Sequence, residues 1–299
     1  MNKLFRTLLL LISSLSLAGF GSDAIALEDG GYDIFLLAGQ SNMAGRGAIP
    51  NPIDADGEPE SAIKMWDPTK GIVEAKDPII HPEIGNKPTA VGMGMSFAKA
   101  YLAEARRTGQ AERKVLLVGA AWGGTGFSED VPSFHYRWVV TQDPVVGGDL
   151  YRSAVQRANA AINAALAENP RSSFKGILWH QGESDAGNKA PKYQANLTAL
   201  IARFRKDLQV ADLSVLLGQL GPFRKEANDE NSKILDTALR SVAKEDGNAA
   251  FVSAEGLTSN GDFVHFDNKS QRELGRRYAE AYLKLMDDRL QEKKAASGK

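Results

Sequence analysis

The sequence predicts an α/β fold, a three-layer sandwich in which helices flank a central, mostly parallel five-stranded sheet. Three observations carry that reading. Short apolar runs recur at wide spacing, segments of helical period lie between and after them, and no internal repeat or low-complexity tract breaks the alternation. Alternating strand and helix is the pattern of parallel strands joined by helical crossovers.

In chain order the strands read as Tyr32 to Ala38, Lys114 to Ala120, Lys175 to His180, Ser214 to Leu220 and Ala249 to Ser253. Each is a nearly continuous apolar run, as expected of strands covered on both faces. The helices read as Ser96 to Arg107, Leu150 to Glu168, Lys192 to Leu208, Glu230 to Glu245 and Gln271 to Leu290. In the second, Ala154, Val155, Ala158, Ile162 and Leu166 make one apolar stripe, and Asn169-Pro170 stops it. Leu274, Tyr278, Tyr282 and Leu285 do the same in the last. Two long irregular stretches remain, Arg46 to Ala90 and Trp122 to Gly148, rich in Gly, Pro and aromatic residues. Loops of that length in a compact domain are commonly functional, so they are predicted to form the substrate surface.

With 299 residues, 43% of them hydrophobic, the chain can bury one full core. The expected organisation is a signal peptide over 1–26, a single domain over 27–290 and a frayed polar tail over 291–299. Lys3 and Arg6 precede a Leu-rich block that ends in Ala24-Ile25-Ala26, a secretory pattern with cleavage before Leu27. The apolar block is short for a bilayer span, so a secreted or periplasmic protein with no stable membrane insertion is expected. A formal charge of −1, with basic and acidic residues interspersed, leaves no electrostatic footprint for nucleic acid and points to a neutral or small substrate. With no cysteine in the chain, disulfides, thiol catalysis and Cys-ligated zinc are excluded.

Ligands gather at the carboxyl ends of parallel strands, and the candidate groups fall just after them. The first apolar run stops at Gly39 and delivers Ser41 into a small-residue turn, which is how a nucleophile is presented. A serine hydroxyl needs a base, and His265 is the candidate. Asp262, three residues earlier, can accept the other ring N–H and fix the tautomer. The oxyanion donors are drawn from the Ser41 backbone N–H, a backbone N–H of Gly123 or Gly124, and the Gln181 amide. Losing one such donor typically costs about 100- to 1,000-fold in rate. Gln40, Asn42, Trp122, Thr125 and His180 flank these groups as candidate substrate contacts. Trp122, Phe127, Phe134, Tyr136 and Trp138 suit either the apolar faces of sugar rings or packing beneath the loop.

Glu183 has two readings, holding a loop through backbone N–H groups or reaching His265 as a second acid. His180, ending an apolar run, reads as a buried hydrogen-bonded imidazole before a second base. His180-x-x-Glu183 has no third ligand at metal spacing, and Asp54-Ala55-Asp56-Gly57-Glu58 departs from a calcium loop and reads as a polar turn. No metal and no cofactor are expected.

Taken in order, these blocks resemble the SGNH-hydrolase superfamily, and within it the sialate O-acetylesterase-like group that includes carbohydrate esterase family 6 acetyl xylan esterases. Gly39-Gln40-Ser41-Asn42-Met43 resembles the nucleophile block, Trp66 with Ala75-Lys76-Asp77-Pro78 the early loop, and Gly94 to Tyr101 the first long helix. Gly123-Gly124-Thr125 resembles the oxyanion glycine block. His180-Gln181-Gly182-Glu183-Ser184-Asp185 resembles the third block, with Gln where the superfamily has Asn, and Asp262-Phe263-Val264-His265 the last. The resemblance spans most of the mature chain and implies a flavodoxin-like sheet, a triad of Ser41, His265 and Asp262, and an acidic role for Glu183 in some members. The expected function is a secreted serine carbohydrate O-acetylesterase acting on an acetylated carbohydrate such as acetyl xylan. A sialate O-acetylesterase, a hydrolase of other esters and a non-catalytic sugar-binding protein are the alternatives.

Overall fold

Strand β1 (Tyr32–Gly39) runs through the middle of the protein with all eight residues buried. Its side chains alternate between two cores: Ile34, Leu36 and Ala38 face one, Phe35 and Leu37 the other. The structure, a computed structural model, describes residues 30–50, 53–82, 90–128, 136–139, 148–224 and 229–297. The expected signal peptide and Phe134 lie outside the described residues.

After β1 come a single helical turn α1 (Ser41–Ala44), the hairpin β2 (Ile63–Asp67) and β3 (Gly71–Glu74), α2 (Gly94–Arg107) and β4 (Lys114–Gly119). The short pair β5 (Tyr136–Arg137) and β6 (Gly148–Asp149) precedes α3 (Leu150–Glu168), β7 (Ser173–His180) and α4 (Tyr193–Asp207). The chain closes with β8 (Ser214–Gly218), α5 (Glu230–Glu245), β9 (Ala249–Val252) and α6 (Asn268–Ser297). Sheet order is β3-β2-β4-β1-β7-β8-β9, parallel throughout except for β3. The five strands expected from the sequence are all present and stand in the order second, first, third, fourth, fifth, the flavodoxin-like arrangement.

The sheet has two strands more than expected, because β2 and β3 lie inside the stretch read as irregular. Ile63, Met65 and Trp66 are buried, and Asp67 closes the hairpin by accepting the Thr69 N–H at 2.8 Å. Alternating apolar residues before Asp-Pro-Thr-Lys-Gly are a hairpin signal, but a short one. Helices α3, α4 and α5 cover one face and α2 and α6 the other. The buried stripe of α3 is Ala154, Ala158, Ala161 and Ala165, rotated from the expected one, with Leu166 41% exposed. Alanines there let the helix sit close to the sheet. Helix α6 runs on to Ser297, through the segment expected to fray. Asp149 and Asp229 cap α3 and α5, accepting the Arg152 and Ser232 N–H groups at 3.1 and 2.7 Å.

The polar turn at Asp54 is tied to α6. Arg272 bonds Asp54 at 2.9 Å and lies 2.6 Å from the buried Asp77, while Arg276 reaches Asp56 at 2.7 Å. These pairs hold the long loop against the helix that follows His265.

Candidate active site

The carboxyl ends of β1, β4 and β7 lie side by side, so the segments leaving them meet at one edge. At the end of β1, Gly39 has φ 139° and packs against the His180 carbonyl, with Gln40 N–H donating to that same oxygen at 3.0 Å. Any side chain at Gly39 would overlap this carbonyl. The turn that follows places Ser41 at the start of α1. Beyond β4 the chain stays alongside β1, Ala120 and Trp122 donating to the carbonyls of Leu37 and Gly39 at 2.8 and 3.1 Å. That continuation brings Gly123 and Gly124 beside Ser41. Gly124 has φ 70°, and Thr125 Oγ1 donates to the Trp122 carbonyl at 2.7 Å to close the turn. His81, buried, accepts the Ala121 N–H at 3.0 Å through Nδ1. Burial, reinforced by Arg157 and Arg46, pushes the His81 pKa down to about 3.

His265 Nε2 lies 2.8 Å from Ser41 Oγ and its Nδ1 2.6 Å from Asp262 Oδ2. Because the carboxylate can only accept, Nδ1 carries the proton and Nε2 is free to take one from the serine. Asp262 Oδ1 also accepts the Val264 and His265 N–H groups at 2.8 and 2.7 Å. Partial burial would raise the Asp262 carboxyl, but these hydrogen bonds outweigh it and hold the group below its ordinary range.

Ser41, His265, Gln40, Gly123, Gly124 and Glu183 line a cavity of about 450 Å³. Arg46, Ser184, Lys189 and Val264 complete its wall. The last four were not expected from the sequence. Arg46 and Lys189 each stand a few residues beyond a motif block, and that proximity was the available signal.

Several expected site residues are placed differently. Asn42 is fully buried and bonds the peptide groups on either side of His265, donating to the Val264 carbonyl at 3.2 Å and accepting the Phe266 N–H at 3.1 Å. Its Nδ2 also donates to Glu183 Oε1 at 2.6 Å. Glu183 therefore contacts Asn42, and no bond from it to His265 is present among the described residues. Gln181 is wholly buried and off the cavity wall. Its Nε2 faces three acceptors, Asp185 Oδ2 at 2.8 Å, the Thr125 carbonyl at 3.1 Å and Gln40 Oε1 at 3.2 Å. With two N–H groups already directed at three oxygens, the amide is a brace between blocks and has no donor to spare for an oxyanion. Asp185 completes that brace by accepting the Phe127 N–H at 3.0 Å; burial raises its carboxyl.

Of the five expected substrate contacts, Gln40 alone lines the cavity. Asn42, Thr125 and His180 are buried because each supports a backbone turn or the sheet edge. His180 Nδ1 lies 3.2 Å from the Tyr278 hydroxyl, which itself donates to the Trp179 carbonyl at 2.7 Å. Burial lowers the His180 pKa, against a smaller pull from Glu183, so the ring is a neutral structural group. Trp122 is stacked on Tyr136 with ring centroids 4.0 Å apart. Trp138 is fully buried against Trp179 at 4.8 Å and Phe127 packs on Tyr193 at 5.4 Å, the packing alternative for those two aromatics.

The family model of carbohydrate esterases described as sialic acid-specific acetylesterases matches residues 31–284. The chain belongs to that family. A probable carbohydrate esterase of Arabidopsis thaliana is 28% identical over 264 residues, 84% of this chain and 90% of that one. A crystal structure of an Arabidopsis thaliana protein superposes with a TM-score of 0.67 at 26% identity, covering 85% of this chain and 98% of that chain. NanS superposes at 0.63 and 18% identity, covering 87% and 99%, a likeness of fold. This member of the family is a carboxylic ester hydrolase acting on acetylated carbohydrates. No helix among the described residues is long and apolar enough to cross a membrane.

Proposed function

We propose that this carbohydrate esterase removes acetyl groups through an acetyl-Ser41 intermediate, with His265 as base and Asp262 as its orienting acid. The observation that carries the reading is the single imidazole bridging Ser41 and Asp262 at 2.8 and 2.6 Å. His265 Nε2 takes the Ser41 proton as Oγ attacks the acetyl carbonyl. The developing oxyanion is held by backbone N–H groups of Ser41 and of the Gly123-Gly124 turn. His265 then returns the proton to the departing sugar hydroxyl. Water, activated by the same imidazole, releases acetate and restores Ser41. The brace of Gln181, Asp185 and Gln40 holds the glycine turn to the nucleophile, a positioning role.

The match to a family described as sialic acid-specific acetylesterases supports an acidic acetylated sugar over a neutral one. Arg46 and Lys189 stand on the cavity wall, where a substrate carboxylate could meet them. An acidic sugar of the sialate type departs from the neutral or small substrate expected from overall charge. Export to the periplasm or the exterior is proposed from the N-terminal sequence pattern.

Acetate release from O-acetylated sialic acid and from acetyl xylan, by the chain from Leu27 and its Ser41→Ala variant, tests the reading. Release from the acidic sugar, abolished in the variant, is the expected result. Release from xylan alone would reject the acidic substrate. Undiminished release by Ser41→Ala would sink the mechanism, and sugar binding without turnover would favour the non-catalytic alternative.

A further inference from the structure

A second cavity, of about 520 Å³, lies at the carboxyl end of β8, between the segment that leaves the strand and the first turns of α5. Its size falls within the range of about 300–1,000 Å³ typical of small-ligand sites. Arg224 lines it and is only 8% exposed, yet its guanidinium makes no hydrogen bond or ion pair among the described residues. Taking a cation out of water without a counter-charge is costly, and such groups are normally paired. Asp236, the one carboxylate among the described lining residues, bonds Arg240 through Oδ2 at 2.8 Å. Lys233 adds a second cation to the wall, and among the described residues neither the buried Ser232 hydroxyl nor Asp236 Oδ1 has a hydrogen-bond partner. Among the described lining residues the two cations Arg224 and Lys233 therefore outnumber the one carboxylate, Asp236.

Two contacts tie the wall of this cavity to the catalytic blocks. Leu220 packs against Gly182, the residue before Glu183, and Phe223 stands edge-on to Phe266, the residue after His265, at 5.1 Å. The segment 219–224 thus forms one wall of the second cavity and backs two of the catalytic blocks.

We infer that the Arg224 cavity is a second subsite, which takes the carboxylate of an acidic sugar unit neighbouring the unit whose acetyl ester is cleaved. Arg224 supplies a charge-assisted fork for the carboxylate, Lys233 adds long-range attraction, and Gln219 and Thr237 on the wall offer polar groups to the ring hydroxyls. The link to turnover rests on the esterase reading above; the binding itself does not.

The test is calorimetric titration of the Ser41→Ala protein, with and without Arg224→Gln, using digalacturonate, cellobiose and inorganic phosphate. Digalacturonate is expected to bind at least about tenfold more tightly than cellobiose, and Arg224→Gln to weaken it about 10- to 100-fold. Arg224→Lys should recover part of that loss. Arg46→Gln in the same background separates the contribution of the catalytic cavity. Arg224→Gln with Ser41 intact should hydrolyse an aryl acetate at the wild-type rate, which shows that the variant folds. Unchanged digalacturonate affinity in Arg224→Gln, equal losses for digalacturonate and cellobiose, or loss of aryl acetate hydrolysis would each overturn the subsite. Phosphate binding as tight as digalacturonate and lost with Arg224 would replace it with a free-oxyanion site. Because binding is read without turnover, failure of the esterase reading would leave this result standing.

Discussion

The Asn42 side-chain amide donates to Glu183 Oε1 at 2.6 Å while the rest of the same side chain grips the peptide groups around His265. The residue after Ser41 thus ties the third block to the last one. Glu183 contacts Asn42, and Asp262 is the carboxylate in contact with the imidazole.

Asp262→Asn should therefore lower kcat by about 10³- to 10⁴-fold, because the amide no longer fixes the productive tautomer. Glu183→Gln should cost far less, about tenfold, through looser placement of His265. Steady-state kinetics on an aryl acetate separate the two. A Glu183→Gln loss as large as that of Asp262→Asn would show that Glu183 acts as an acid partner after all.

Gly39→Ala is expected to destabilise the protein by at least about 2 kcal/mol, since the new methyl group meets the His180 carbonyl at a positive φ. Denaturant unfolding measures it. The residual folded enzyme should also be slower, because relief of the overlap moves the turn that carries Ser41. Wild-type stability in this variant would contradict the packing described.

His81 ties folding to pH. Its folded pKa of about 3 lies below the ordinary 6.5, so the unfolded chain binds the proton first and stability falls as pH drops from 6.5 toward 3. Between pH 7 and pH 5 this one group should remove about 2 kcal/mol. In His81→Gln, whose amide oxygen can still accept the Ala121 N–H, that part of the acid dependence should vanish. Unfolding curves at the two pH values, compared between the proteins, provide the check.

Arg46→Gln and Lys189→Gln should each raise KM for an acidic acetylated sugar by about 3- to 30-fold and leave aryl acetate hydrolysis nearly unchanged. For the wild type, the acidic substrate's kcat/KM should fall with added salt, as expected for charges that act partly through solvent. Identical effects on neutral and acidic substrates would assign these residues to packing.

By itself the sequence determined the sheet's five parallel strands, the helices between them and the edge where chemistry collects, because buried strands and amphipathic helices write their periods into local composition. The Ser41, Asp262 and His265 blocks were legible for a related reason: they sit just past apolar runs or within one turn of each other. The β2–β3 hairpin escaped notice because its alternation is short and flanked by turn residues. What only the tertiary structure decided was which polar side chains face the cavity. Gln181 and Asn42 stand in motif blocks but are consumed in bracing them, whereas Arg46, Lys189 and Arg224 carry no motif and reach cavity walls. Hydrogen-bond partners between residues more than a hundred positions apart are set by how the helices and loops pack, and no local pattern in the chain encodes them.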